Sequence, residues 1–198
     1  MTDKIPYLNK ITLSINDSFE LKQKLLSETE IISSLSELSQ KLINVISNGN
    51  KIFFAGNGGS ASDAQHLAAE FICRLEKERD SLPAIALTTD TSIITAISND
   101  YSFEELFSRQ LLGLASKGDM FIGITTSGKS PNIIKAFEIC INKKIHTACL
   151  CGANGLSKDL NVEHIIKVPS YSTQRIQEVH ILFGHIMCEI VENQLFPN

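Results

Sequence analysis

The chain has 198 residues, of which 43% are hydrophobic and 20% charged, with a formal net charge of −4. These values suit one globular domain with a substantial core and exclude a disordered chain. An acidic balance also speaks against a broad nucleic-acid surface, which shows as a basic excess, and no apolar run approaches the ~18 residues that span a bilayer.

In chain order, the first ~48 residues read as helical from their apolar spacing. Leu8, Ile11 and Ile15 follow i, i+3, i+7, and a break falls at Ser27-Glu28-Thr29-Glu30. Ser27 with Glu30 fits a capping box opening a second helix, which carries Ile31, Leu35, Leu38, Leu42 and Ile46 and stops at Asn48-Gly49. The two helices either cover the core or pack in a subunit interface. Met1–Lys10 shows no leader core or cleavage site, so a cytoplasmic protein is expected.

From Lys51 the rhythm changes. Short apolar runs at Lys51–Ala55, Pro83–Leu87, Met120–Ile124, Ile145–Leu150 and His164–Val168 predict strands. Helical patterns at Ser60–Leu75, Phe103–Leu114 and Pro131–Asn142 lie between most of them, and Thr173–Glu192 follows the last. Alternation of this kind predicts βαβ units in a parallel α/β sheet, with ligands at the carboxyl ends of the strands. The five cysteines (Cys73, Cys140, Cys149, Cys151 and Cys188) contain no CxxC pair and are expected to be buried small hydrophobes.

Two post-strand loops carry the chemistry. Gly56-Asn57-Gly58-Gly59-Ser60 puts three glycines in four positions before a helix, more than a turn requires. Such a loop lets backbone N–H groups approach an anion at a helix N-terminus, with Ser60 placed to cap the helix and donate to the ligand. Ala61 and Ser62 stand where the dinucleotide fingerprint needs a spaced glycine. The second loop, Thr125-Thr126-Ser127-Gly128-Lys129-Ser130, gathers hydroxyls before Pro131, a favoured first helical residue. Gly123 to Ser130 also satisfies the nucleotide P-loop pattern. Gly123, however, lies inside a strand run, and Ile124-Thr125-Thr126 is too β-branched for a tight anion nest.

Two helices add a metal and acid–base set. His66 and Glu70 share a face at i, i+4, which Arg74 continues, while Gln177, Glu178, His180 and His185 stand along the last helix. Gln177 and His185 are two turns apart and about 80° around. Two imidazoles, a carboxylate and an amide oxygen suit a divalent ion of the zinc type. An aldose–ketose isomerase needs a base that moves a proton between adjacent carbons and a group that polarises the carbonyl.

On GNGGSASDAQHLAAE (Gly56–Glu70), LPAIALTTD (Leu82–Asp90), SND (Ser98–Asp100), TTSGKS (Thr125–Ser130) and RIQEVH with His185, the chain resembles the phosphoheptose isomerase family of SIS proteins. The resemblance runs from about Lys51 to the C-terminus. It implies one SIS domain over 1–198, a three-layer sandwich with a five-stranded parallel sheet flanked by helices, in a homotetramer with sites between subunits. The implied reaction converts sedoheptulose 7-phosphate to D-glycero-D-manno-heptose 7-phosphate, the first step of heptose synthesis for surface polysaccharide. By the same resemblance His66, Glu70, Gln177 and His185 hold one zinc per subunit, Glu70 is the base and His185 its acid–base partner. Ser60, Thr125, Thr126, Ser127 and Ser130 take the phosphate; Asn57, Gly58, Gly59, Asn99 and Asp100 contact the sugar, and Glu70 and Gln177 touch substrate as well. Gln174 departs from members with Asp there. A related SIS protein that binds the bacterial replication initiator shares the Leu195-Phe196-Pro197 ending but lacks the counterparts of Glu70 and His185. A non-catalytic regulator is therefore the alternative, with neither membrane nor direct nucleic-acid contact.

Overall fold

The structure is a computed structural model that describes residues 7–197. The leader reading of Met1–Lys10 therefore lies mostly outside the described residues. In chain order the elements are α1 (Leu8–Leu25), α2 (Thr29–Ser47), β1 (Ile52–Gly56), α3 (Gly59–Ile72), β2 (Ala84–Ala86) and α4 (Thr91–Asp100). After a short 3-10 turn follow α5 (Leu106–Leu114), β3 (Met120–Thr125), α6 (Pro131–Lys143), β4 (His146–Cys151), β5 (His164–Lys167) and α7 (Thr173–Leu195).

The five strands form one parallel sheet in the order β2-β1-β3-β4-β5. Strand alternation assigns side chains to two faces. Ile52, Phe54, Met120, Ile122, Ala148 and Leu150 pack with α2, α3 and α7 residues such as Leu38, Leu42, Leu67 and Val179. Phe53, Ala55, Phe121, Cys149 and Cys151 pack with Phe107, Leu111, Ile133 and Phe137 of α5 and α6. Three layers result. Because β1 and β3 are neighbours whose connections depart to opposite faces, the crevice beyond their carboxyl ends is a topological switch point. Gly56 pairs in register with Ile124 there, so the two polar loops leave the sheet side by side.

Three expectations are corrected. Ser27 does not close a capping box: its hydroxyl donates to Lys24 O at 2.7 Å, and the N-cap of α2 is Glu28 without a side-chain cap bond. Thr91–Asp100 is a helix the apolar pattern missed, capped by the Asp90 carboxylate accepting from Ile93 N at 2.9 Å. Its Thr and Ile residues lower intrinsic helix propensity, so the cap and the tertiary setting decide. The third correction is Cys73, which is exposed at the end of α3, while the other cysteines are buried and all five are free thiols. Among the described residues, no helix is long and apolar enough to cross a membrane.

Candidate active site

The first loop is built as the glycines require. Gly58 has φ +56°, a left-handed conformation that disfavours side chains, and α3 begins immediately after it. A Cβ on Gly59 would overlap the amide of Gln177, so the missing side chain is what lets α7 lay Gln177 over the start of α3. Ser60 is buried inside the first turn rather than at the N-cap, which is Gly58. The expected capping role of Ser60 is therefore absent, and the residue lines the cavity between the two loops.

In the second loop Thr125 is buried at the end of β3, and its Oγ1 lies 3.0 Å from Ser130 Oγ. Ser130 is the N-cap of α6 and Pro131 its first residue. Gly128 has φ +67°, and a Cβ there would overlap the carbonyl of Gly155. Lys129 is exposed and its backbone N–H donates to Ser127 Oγ at 3.1 Å. The nucleotide P-loop reading fails on geometry: Gly123 is inside β3, where a Cβ would collide with the Phe137 ring.

The loops enclose a cavity of about 330 Å³. Asn57, Gly58, Gly59 and Ser60 line one side, and Thr125, Thr126 and Ser130 line another. Gln177 and Thr173 close it from α7. Thus α3, α6 and α7 all begin at this cavity, and their unpaired N–H groups and dipoles supply positive potential. Among the described residues lining it there is no Lys or Arg. A small polyanion held by hydroxyls and helix N-termini fits this lining.

Two site residues escaped the sequence reading. Asn132 is buried and exchanges two hydrogen bonds of 2.9 Å with Asn57, tying the first loop to the start of α6. Thr173, the first residue of α7, lines the cavity. Position directly after Ser130-Pro131 was the available signal for Asn132; Thr173 gave none.

Beyond the cavity, α3 and α7 bring His66, Glu70 and His185 together, with one ligand atom from each inside a 4.8 Å group. His66 Nε2 lies 2.8 Å from His185 Nε2 and 3.1 Å from Glu70 Oε1. Gly184 permits this approach, since a Cβ there would overlap Leu67 on α3. Two imidazole nitrogens and a carboxylate oxygen converging within this distance are a donor set that a divalent cation can take. The residues present therefore fit a divalent metal. Asp63, less than one turn before His66, is pushed up to about 6 by burial, with the charge of His66 opposing.

The remaining expected residues sit apart. Asn99 and Asp100 are exposed at the end of α4, joined by a 2.8 Å hydrogen bond, outside the loop cavity of their own chain. Ser127 stands at the loop tip and does not line the cavity. Arg74 does not continue the α3 face: the helix ends at Ile72, and Arg74 pairs with Glu78 at 2.7 Å in solvent. Gln174 is exposed beside α1.

With this geometry in place, comparison with known proteins decides the family. Residues 18–152 match the SIS domain family. The chain is 52% identical over 184 residues to a phosphoheptose isomerase of Aneurinibacillus thermoaerophilus, covering 93% of each chain. The chain belongs to the phosphoheptose isomerase family. Phosphoheptose isomerases of known structure agree. One from Francisella tularensis superposes with a TM-score of 0.87 at 32% identity, covering 94% of this chain and 98% of that one. One from Neisseria gonorrhoeae gives 0.83 at 37% identity, covering 93% and 98%. The family makes this chain a sugar-phosphate isomerase.

Proposed function

We propose that the chain, acting as one SIS domain over 1–198, isomerises sedoheptulose 7-phosphate to D-glycero-D-manno-heptose 7-phosphate in the cytoplasm, the first step toward heptose for surface polysaccharide. The observation that carries this reading is the pairing of a hydroxyl-lined anion cavity with the His66–Glu70–His185 cluster on the same two helices. Along α3, His66 follows the cavity's Ser60 by about 9 Å, room for a polyol chain between a bound phosphate and the reacting carbons.

In this reading Ser60, Thr125, Thr126 and Ser130 bind the phosphate, Ser127 is assigned to it by the resemblance alone because it lies outside the cavity lining, and Asn57, Gly58, Gly59, Glu70 and Gln177 hold the sugar. His66, Glu70, Gln177 and His185 hold one zinc per subunit, which when bound polarises the carbonyl and stabilises developing negative charge. Glu70 removes the proton from C1 of the ketose and returns it to C2 of the enediolate. On the opposite face, His185 delivers a proton to O2 and accepts one from O1, so protons balance over the cycle. Support for the metal is the convergence of His66, Glu70 and His185; Gln177, whose amide lies over Gly59 at the cavity, enters as a ligand on the family resemblance alone.

The proposed assembly is a homotetramer with shared sites. Leu8, Ile11, Leu13, Ile15 and Phe19 of α1 are each more than half exposed, an apolar surface that suits burial against a second copy. Asn99 and Asp100 would then reach a neighbouring subunit's sugar. The replication-initiator reading has less support. The Leu195-Phe196-Pro197 ending is engaged by its own chain, with Phe196 O accepting from Lys77 Nζ at 2.9 Å and its ring 5.6 Å from the Arg79 guanidinium.

A substrate panel tests the assignment. Turnover of sedoheptulose 7-phosphate well above that of six-carbon ketose phosphates is expected; preference for a six-carbon substrate would sink it.

A further inference from the structure

The carbonyls at the end of α3 reveal how Glu70 is held. A helix leaves its last four C=O groups without partners inside the helix. Here each finds one: Cys73 N donates to Ala69 O at 2.8 Å and Ser81 Oγ to Ile72 O at 2.6 Å. The two between them, Glu70 O and Phe71 O, accept from one guanidinium, and Phe71 O also accepts from Leu82 N at 3.0 Å. Arg79 Nη2 reaches Glu70 O at 2.8 Å, and Nη1 reaches Phe71 O at 3.0 Å.

That guanidinium is itself fixed from α7. Arg79 Nε donates to Glu192 Oε2 at 2.7 Å, and the two side chains are only 2% and 3% exposed. Glu192 also accepts from the backbone N–H groups of Leu75, Glu76 and Lys77, at 3.1, 2.9 and 2.8 Å. A planar fork with one edge on a buried carboxylate and the other on two successive helix carbonyls has one orientation. The last turn of α3, which carries Glu70, is thereby locked to α7, which carries His185 seven residues before Glu192.

We infer that Arg79, oriented by Glu192, is a positioning residue that sets Glu70 against His66 and His185. The inference rests on the reading of Glu70 as metal ligand and base. Arg79 touches only the backbone of Glu70; it acts by fixing where the Cα–Cβ bond starts, as groups behind a metal ligand commonly do.

The test compares full-length wild type with Arg79→Gln, which removes the charge, and Arg79→Lys, which keeps an ion pair with Glu192 but loses the two-carbonyl fork. Zinc affinity is read by competition with a chromogenic chelator. kcat and KM are read at saturating zinc, and circular dichroism confirms folding. Zinc affinity and kcat should each fall ~10–100-fold, with KM within about threefold of wild type. If Arg79→Gln does not fold, Arg79→Lys provides the same readouts and decides between the same outcomes. Folded variants with wild-type zinc affinity and kcat but a lower melting temperature would overturn the inference, leaving a brace for the fold alone. Glu70→Gln separates the two layers: if it binds zinc and turns over as wild type does, the underlying reading of Glu70 fails; if it is dead while both Arg79 variants remain fully active, only the positioning role fails.

Discussion

His66 on α3 and His185 on α7, 119 residues apart in sequence, face each other Nε2 to Nε2 at 2.8 Å. These two rings and Glu70 converge on one donor group. If that group takes zinc as proposed, zinc is expected to bind the folded chain and not the unfolded one, stabilising it by mass action, ~2.7 kcal/mol at a hundredfold excess over Kd. For a domain of this size that raises the melting temperature ~5–10 °C. Calorimetry with zinc and with chelator checks this, and His185→Asn should abolish the difference.

Glu70→Gln should lower turnover ~10²–10⁴-fold, the usual contribution of a placed base, while sugar-phosphate binding persists. The phosphate contacts are on other elements or, for Ser60, ten residues earlier on α3, so calorimetric titration should give a similar Kd. Near-normal turnover would remove Glu70 as base.

Among the described residues, the Asn57–Asn132 amide pair is the side-chain tie between the first loop and α6, with two bonds of 2.9 Å. Asn132→Leu leaves the amide of Asn57 unpaired, at a cost of ~1–3 kcal/mol. The expected result is a raised KM with kcat less affected, because the change loosens the anion loop and leaves the His66–Glu70–His185 cluster intact. An unchanged KM would mean the loop holds its shape by backbone alone.

Stability should fall in acid in two stages. Burial holds His180 down to about 4 from 6.5, with the backbone of Cys151 pulling it partly back. The unfolded chain takes up that proton first, so this contribution is whole above 6.5 and is lost as pH falls through about 4. Glu192 is pushed up by burial, but the N–H groups of Lys77, Glu76 and Leu75, with Arg79, outweigh this and hold it at about 2 rather than 4.5. Its contribution is whole above 4.5 and is lost as pH falls through about 2. Each gap corresponds to about 3 kcal/mol. Asp63, held up at about 6 in the fold, opposes the first stage between pH 6 and 3.8. Urea unfolding at fixed protein concentration should therefore show the decline from pH 6.5 in Asp63→Asn, and Glu192→Gln should flatten the part below 4.5. Constant stability of Asp63→Asn between pH 7 and 4 would contradict the His180 assignment, and constant stability between pH 4.5 and 2 the Glu192 assignment.

Much of this was legible in the sequence because it is local. Strand runs alternate with helical patterns, and both loops follow strands directly, so the sheet, its helical layers and the anion cavity could be read from short windows. His66 and Glu70 share a helical face for the same reason. What the residues alone could not give is contact between distant segments. Nothing near Arg79 announces that Glu192 will receive it, and nothing near Asn57 points to Asn132. The α4 helix was hidden by its β-branched residues and depends on one cap from Asp90. The two N-terminal helices looked alike by spacing, yet α2 enters the core and α1 keeps its apolar face exposed, a distinction set by what packs against them.

The most direct test of the metal-assisted mechanism is turnover of sedoheptulose 7-phosphate by the purified protein, stripped by chelator and then given back zinc. Wild type should lose activity on stripping and recover it on adding zinc, and His66→Gln should show no recovery. Full activity in the stripped protein would contradict the metal-assisted mechanism built on His66, Glu70, Gln177 and His185.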